Sequence, residues 1–270
     1  MTRILTLAAQ SLLLVLLFTA CQKEVDIDLK SARSNIVITG EITDQPGPYT
    51  IKINRTVNFN EPNTFPAISG ATVVVSDSEG NSETLIETEP GIYTGTTLQG
   101  VPGRSYTLTI NANGENYSAV SRMPVAVEID TITFEKGFFA DEDDEKLTEV
   151  EFTDPAGTEN FYRMILIQNG TRMRDIYIAE DRLRDGQVLS ATLFRDGDDE
   201  NRYEEFKSGD QVTVLLQSID ESTHNFFRTF DTPGGGDGSA SPANPLNNLT
   251  NGALGYFSAA AVRSKSVVYP

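Results

Sequence analysis

The sequence is poor in the residues that carry most enzyme chemistry. Its 270 residues include one cysteine, one histidine and no tryptophan. A single thiol excludes a disulfide within the chain, so the fold depends on burial alone. A zinc site or a Ser-His-Asp triad would have to rely on His224, which has no cysteine and no H-E-x-x-H spacing near it. We therefore expect His224 at the surface or at a helix cap, without a catalytic role.

The motifs of common enzyme classes are missing as well. The chain has no G-x-S-x-G nucleophile elbow and no G-x-x-x-x-G-K-[ST] phosphate loop. The glycine-rich run Gly234–Gly238 follows a predicted helix instead of preceding one, which indicates a loop. Carboxylate pairs can hydrolyse glycosides without a histidine. Acidic residues are so abundant here that a close pair is expected by chance, so their number does not support a glycoside hydrolase. We predict a non-enzymatic protein with no catalytic residue, cofactor or metal.

Positive charge is scarce relative to negative charge. Lysine and arginine total 21 against 39 aspartates and glutamates, which gives a formal net charge of -18 at pH 7. Such a chain repels phosphate backbones, and no basic patch is interleaved with aromatic residues. The composition therefore argues against a nucleic-acid partner, and most of the carboxylates are interpreted as solubilising surface groups.

The lone cysteine stands where a long apolar run ends. Ile4–Phe18 is mostly apolar, follows Arg3, and is shorter than the ~20 residues that a membrane-spanning helix needs. The segment Leu17–Cys21 resembles a bacterial lipobox, in which the thiol and the new amino group are acylated, for example with palmitate. Several acyl chains make a durable anchor. We predict a lipoprotein signal peptide at residues 1–20 and an acylated Cys21 that begins an acidic tether over residues 21–34.

Most of the remaining chain has the pattern of β-strands, with alternating apolar and polar residues. The clearest alternating segments are Tyr49–Asn54, Ala71–Ser76, Tyr106–Ile110 and Val125–Asp130. Later strands are predicted at Ile129–Phe134, Thr148–Thr153, Phe161–Gln168, Asp175–Ala179, Val188–Arg195 and Gln211–Ser218. The nearly continuous apolar run in Phe161–Ile167 is typical of a strand covered on both faces. We predict a mostly β protein with two β-sandwich-like units, residues 35–123 and 124–270.

One helix is predicted, at about residues 219–231. Ser218 and Glu221 match an S-x-x-E capping box at its start. The residues that then share one face are Ile219, Thr223, Phe226, Phe227 and Phe230. We expect this face to seat the helix on the sheet, and residues 232–245 to form a flexible loop.

Several segments, in this order, carry a resemblance to a known family. They are Cys21 with Val25–Leu29, Asn35–Ile42, Ile68–Val75, Gly91–Tyr93, Gly103–Ile110 and Asn244–Phe257. With the phenylalanine helix, they are similar to uncharacterised outer-membrane lipoproteins of Bacteroidetes that carry a domain of unknown function. Genes for these proteins often lie beside those for TonB-dependent receptors. One departure is Gly252-Ala253, where the family usually has two glycines.

A second resemblance concerns the first predicted unit alone. Gly91–Tyr93 and the strand Tyr106–Ile110 resemble the carboxypeptidase-regulatory, transthyretin-like β-sandwich. Such modules usually have a supporting or binding role and do not catalyse a reaction, although a fold by itself does not define a function.

The first resemblance implies a role at the outer membrane near a transporter. The leading hypothesis is a non-catalytic accessory or ligand-binding lipoprotein of a TonB-dependent uptake system, with a small ligand of unknown identity. Tethering both partners to one membrane would raise their effective concentration without a tight contact. The alternatives are a structural or adhesive cell-surface β-sandwich protein and, third, a carboxylate-based glycan hydrolase.

Two acidic clusters, Asp141–Glu145 and Asp196–Glu200, place oxygen ligands at alternate positions, as an EF-hand loop does. The sixth position of such a loop needs glycine, but here it is Lys146 in one cluster and Asn201 in the other. The EF-hand interpretation is therefore rejected. A looser cation site and a solvated hairpin tip both stay open.

Two further signals concern export and modification. The acidic segment that starts at Gln22 resembles the signal that sends such lipoproteins to the cell surface. Asp130-Thr131-Ile132 resembles the D-[ST]-apolar acceptor for O-glycosylation in these bacteria, which makes Thr131 a candidate site. The alternative for Thr131 is the ordinary start of a strand.

Overall fold

Strands make up about half of the residues that the structure describes, as the alternating pattern predicts. The computed structural model describes residues 34–58, 61–62, 64–136, 146–194, 205–230 and 244–270. Within these ranges the strands are β1 Ile36–Thr43, β2 Tyr49–Arg55, β3 Thr72–Asp77, β4 Ser82–Thr84, β5 Ile86–Glu89, β6 Ile92–Gly95, β7 Ser105–Ala112, β8 Glu115–Arg122, β9 Thr131–Glu135, β10 Leu147–Thr153, β11 Phe161–Gln168, β12 Thr171–Arg172, β13 Tyr177–Glu180, β14 Val188–Leu193, β15 Gln211–Ile219 and β16 Leu254–Val268. The same ranges contain one helix, α1 Glu221–Phe230. No helix among them is long and apolar enough to cross a membrane.

The described strands form three sheets. The largest has nine strands in the order β12-β11-β15-β16-β1-β2-β6-β5, and β13 also pairs with β11. A four-stranded sheet has the order β4-β3-β7-β8, and a three-stranded sheet has the order β14-β10-β9. The nine-stranded sheet contains strands from both sides of the boundary predicted between residues 123 and 124, a boundary that stays a prediction.

Two hydrophobic clusters fill the space between these sheets. In the first, Ile51 of the large sheet shares a core with Leu108 of the four-stranded sheet. In the second, Leu166 of the large sheet shares a core with Val150 of the three-stranded sheet. All four side chains are 0% exposed, because alternate residues of facing strands point into a common interior. The prediction of a mostly β, sandwich-like fold is confirmed.

Strand β16 belongs to both halves of the large sheet. Its residues 254–260 pair in parallel with β1, and its residues 261–268 pair in antiparallel with β15. The first part contributes Phe257 to the first cluster, and Val267 packs against the second cluster. The last strand of the chain therefore joins segments that lie more than 150 residues apart in sequence.

Most predicted strands are present, with ends shifted by at most two residues, and Phe161–Gln168 has the predicted bounds. Val125–Asp130 was wrongly predicted as a strand, because an alternating segment needs a neighbour with which to pair and this one has none in the described structure. Strand β16 was not predicted. Its centre, Ser258–Ala261, is small and buried on both faces, so it lacks the alternation that marks a strand.

The start of the helix differs from the prediction. Helix α1 begins at Glu221, and Asp220 is its N-cap: the carboxylate Oδ1 of Asp220 accepts a hydrogen bond from the Thr223 backbone N–H at 2.9 Å. Ser218 is still within β15, and its hydroxyl is buried without a hydrogen-bond partner. The capping box predicted at Ser218 is therefore wrong. Phe230, predicted on the buried face, is 56% exposed at the end of the helix.

Candidate functional site

A polar groove crosses the large sheet where β1, β2, β11, β12 and β16 come together. Among the described residues that line it, the charged ones are Glu41, Lys52, Arg163 and Arg172. Three cations and one carboxylate therefore meet in a chain whose net charge is -18. This reversal of local charge distinguishes the groove from the acidic remainder of the protein.

Arg163 is the central charged group of the groove. It lies on β11, directly opposite Gln217 of β15, and is 9% exposed. Its Nη1 is 3.7 Å from a carboxylate oxygen of Glu41 and donates a long hydrogen bond of 3.4 Å to the amide oxygen of Gln217. The Arg163 side chain is also hydrogen-bonded to Tyr256. Its Nε is buried and has no hydrogen-bond partner among the described residues. Because a guanidinium has five N–H donors, these contacts leave capacity for a further acceptor.

Three aromatic rings, Phe226, Phe227 and Tyr256, pack together beside the guanidinium and are called the aromatic shelf. The Cζ of Arg163 lies 3.9 Å from the ring centroid of Phe227, which is a cation–π contact. The ring of Tyr256 lies 5.0 Å from Phe227 and 4.7 Å from Phe226. Phe226 and Phe227 therefore seat the helix on the sheet, as predicted, and Phe227 also orients the arginine.

Burial and neighbouring charge determine the electrostatics of the site. Burial is the main cause that lowers the pKa of Arg163; the nearby cation Arg172 acts in the same direction and the carboxylate of Glu41 opposes it. Burial likewise raises the pKa of the Tyr256 hydroxyl, and Glu41 adds to that effect. Glu41 is itself held in place by a 2.8 Å hydrogen bond that it accepts from the Gln217 side-chain amide. The arrangement can bind an anion, and the described residues that line the groove include no nucleophile paired with a base.

His224 does not lie where the sequence predicts. It is 4% exposed, and its ring packs 5.0 Å from that of Phe161. Burial is the main cause that lowers its pKa. The expected surface or capping position is therefore wrong: His224 helps to fix α1 against β11, on the strand that also carries Arg163.

The other predicted sites are placed only in part. Cys21 and the acidic clusters Asp141–Glu145 and Asp196–Glu200 lie outside the described residues. Thr131 is exposed at the start of β9, and its hydroxyl donates a 3.0 Å hydrogen bond to Glu151. Its glycosylation stays a prediction.

Sequence reasoning missed the groove itself. The signal that could have found it is the single charged residue, Arg163, inside the otherwise apolar run of β11. A charge on a strand covered on both faces needs a partner or a ligand. That partner, Glu41, is more than 100 residues away in sequence, so the pair becomes visible only in the folded chain.

Comparison with known protein families identifies the family of this chain and assigns no activity. The profile of a domain of unknown function, DUF4249, matches residues 22–266. The chain belongs to the DUF4249 family. No curated protein matches it. The expected membership in a family defined by a domain of unknown function is confirmed. Because the family gives no activity, the groove of this DUF4249 chain is the basis for a functional proposal.

Proposed function

We propose that this protein is a non-catalytic, ligand-binding lipoprotein, anchored to the outer membrane through Cys21, that serves a TonB-dependent uptake system. The groove around Arg163 holds a small anionic ligand, such as a carboxylate. One observation carries this proposal: Arg163, 9% exposed, lines an open groove, and its buried Nε has no partner in the described part of the chain. Planar carboxylates match the N–H fork of arginine.

The surroundings of Arg163 favour ligand capture over catalysis. The described residues that line the groove include no histidine or cysteine, and its one carboxylate, Glu41, is held by Gln217. Lys52 and Arg172 add attraction from the rim, which raises the local concentration of an anion near an otherwise acidic protein. The lipid tether would keep the captured ligand close to a receptor in the same membrane.

Membrane anchoring is tested with Cys21→Ser in the native host. The unchanged protein is expected in the outer-membrane fraction with acyl chains on Cys21, detected by mass spectrometry, while the variant is expected unlipidated. A matched control, Ser34→Cys in the Cys21→Ser background, restores a thiol outside the lipobox and should not restore acylation. A wild-type chain that is unlipidated and freely soluble after fractionation would contradict the proposal.

Ligand capture is tested by purifying the tagged full chain from solubilised outer membrane and identifying bound small molecules and proteins by mass spectrometry. We expect an anionic ligand that is lost in Arg163→Met and kept in Arg122→Met, a control that removes an exposed arginine from β8. Co-purification of a β-barrel receptor supports the uptake role. Loss of attachment with unchanged nutrient uptake in a deletion strain would instead support the adhesive alternative.

A further inference from the structure

Three aspartates from separate segments converge on the side of the protein built around the second cluster. Asp154 directly follows β10, Asp181 directly follows β13, and Asp185 lies three residues before β14. One carboxylate oxygen of each residue lies within 4.8 Å of the others. This aspartate triad is distinct from the Arg163 groove and from the acidic clusters that the sequence singled out.

Asp181 shows that the triad is more than a patch of surface acids. Asp181 is 2% exposed, yet its carboxylate Oδ2 is buried and has no hydrogen-bond partner among the residues that the structure describes. A buried carboxylate without a partner is costly unless a proton or a cation compensates it. Burial raises the pKa of Asp181, and the charges of Asp154 and Asp185 raise it further.

The other two aspartates are held in place by their neighbours. Asp154, also 2% exposed, accepts hydrogen bonds from the Tyr162 hydroxyl through Oδ1 and from the Gly186 backbone N–H through Oδ2 at 3.0 Å. Asp185 accepts a 2.7 Å hydrogen bond from the Gly157 backbone N–H through Oδ1. A carboxylate oxygen has two lone pairs, so each of these groups can still coordinate an ion.

We propose that Asp154, Asp181 and Asp185 form a binding site for a divalent cation, of which calcium fits best. Two oxygens bound to one calcium ion lie at most about 5 Å apart, twice the metal–oxygen distance, and the triad meets that limit. All three groups are hard oxygen ligands, without histidine or cysteine, which selects calcium or magnesium over zinc and copper. A depression lined by Asp181, Asp185 and Gln187 opens to solvent and admits the ion with the waters that complete its coordination.

The position of the triad indicates what the ion would do. Asp154 lies at the end of the three-stranded sheet, Asp181 follows the strand that pairs with β11 of the large sheet, and Asp185 leads back into β14. A bound ion would clamp the ends of the two sheets that enclose the second cluster. This effect is independent of whether the Arg163 groove binds a ligand.

The test is calcium titration of the purified full chain in detergent, after removal of metal with a chelator. We expect one calcium ion per chain by isothermal titration calorimetry and a higher melting temperature with calcium. Asp181→Asn keeps the shape of the side chain and removes the uncompensated charge. It should fold at least as well as the wild type without calcium, and bind calcium at least tenfold more weakly. Asp185→Asn, a change in the exposed turn, should weaken binding similarly.

The matched control is Glu135→Gln, which removes one exposed negative charge from β9, outside the triad and outside the depression that admits the ion. It should change calcium affinity by less than about twofold. Magnesium serves as the second probe and is expected to bind more weakly. Absence of calcium binding by the wild type overturns the proposal, as does wild-type affinity in both Asn variants. Equal weakening by Glu135→Gln also overturns it, because binding would then reflect general negative charge.

Discussion

At the residue scale, carboxylates that are partly or fully buried in this protein differ in how many hydrogen bonds they accept. Glu83 accepts backbone hydrogen bonds from Thr96, Thr97 and Leu98 at 2.6, 2.9 and 2.8 Å, and a 3.0 Å hydrogen bond from the Tyr49 hydroxyl. Burial alone would raise the pKa of Glu83, but these donors outweigh it and hold the pKa at about 2. Asp181 has no such donors on its Oδ2, which is why we assign it to a cation.

We expect Glu83→Gln to reduce the free energy of unfolding at pH 7 by about 1.5–3 kcal/mol, the range for hydrogen bonds to a charged group. Because the folded pKa of about 2 lies below the usual value of 4.5, the carboxylate stabilises the fold above pH 4.5, and this contribution is lost as the pH falls toward 2. Urea denaturation at pH 7 and pH 3 should show the difference between variant and wild type shrinking with acid. Exposed Glu89→Gln is the control, and a difference independent of pH would contradict the prediction.

At the element scale, helix α1 is tied to the sheets through its cap. One oxygen of Asp220 caps the helix at Thr223, while the other accepts hydrogen bonds from the Ser121 hydroxyl at 2.7 Å and the Arg122 backbone N–H at 3.0 Å on β8. The Ser121 hydroxyl also accepts a hydrogen bond from the backbone N–H of Ala259 on β16. The cap therefore fixes the helix that carries two rings of the aromatic shelf beside Arg163.

We expect Asp220→Ala to lower the free energy of unfolding by about 1–3 kcal/mol, since it removes a helix cap and leaves buried donors unpaired. Asp220→Asn keeps an acceptor for Thr223 and should cost less than half as much. Chemical denaturation measures both variants. Equal destabilisation by Ala and Asn would show that the charge of Asp220, and not its capping geometry, carries the effect.

At the scale of the whole molecule, β16 holds the large sheet together by pairing with β1 and then with β15. The parallel pairing requires a close approach at Gly255, whose φ is +103°. A Cβ at this position would lie 2.0 Å from the backbone carbonyl oxygen of Ile38 on β1. A glycine is therefore needed at this point for both conformation and space.

We expect Gly255→Ala to destabilise the protein by about 3 kcal/mol or more, because backbone strain and a backbone clash add. Gly103→Ala separates the two effects: Gly103 has a φ of +90°, but a Cβ on it would meet no other atom within 4 Å, so only conformational strain of about 1–2 kcal/mol should appear. Thermal or urea unfolding measures both. Similar losses for the two variants would show that the approach of β16 to β1 is not tight.

The fold class and most strands could be predicted because their signals are local. Alternation in β2 and the continuous apolar run of β11 directly reflect one-sided and two-sided burial. Local patterns gave wrong predictions where strand pairing determines the structure. Val125–Asp130 alternates but has no partner strand in the described structure. Ser218 resembles a helix cap, although β15 continues past it.

By itself, the sequence determined the mostly β character of this protein, its acidity, its lack of catalytic motifs and the position of its one thiol after an apolar run. Only the tertiary structure places Arg163 next to Glu41 in the groove. Only the tertiary structure brings Asp154 close to Asp181 and Asp185. The reason is physical: burial patterns repeat every two residues along a strand, whereas a site forms where distant strands become neighbours in a sheet.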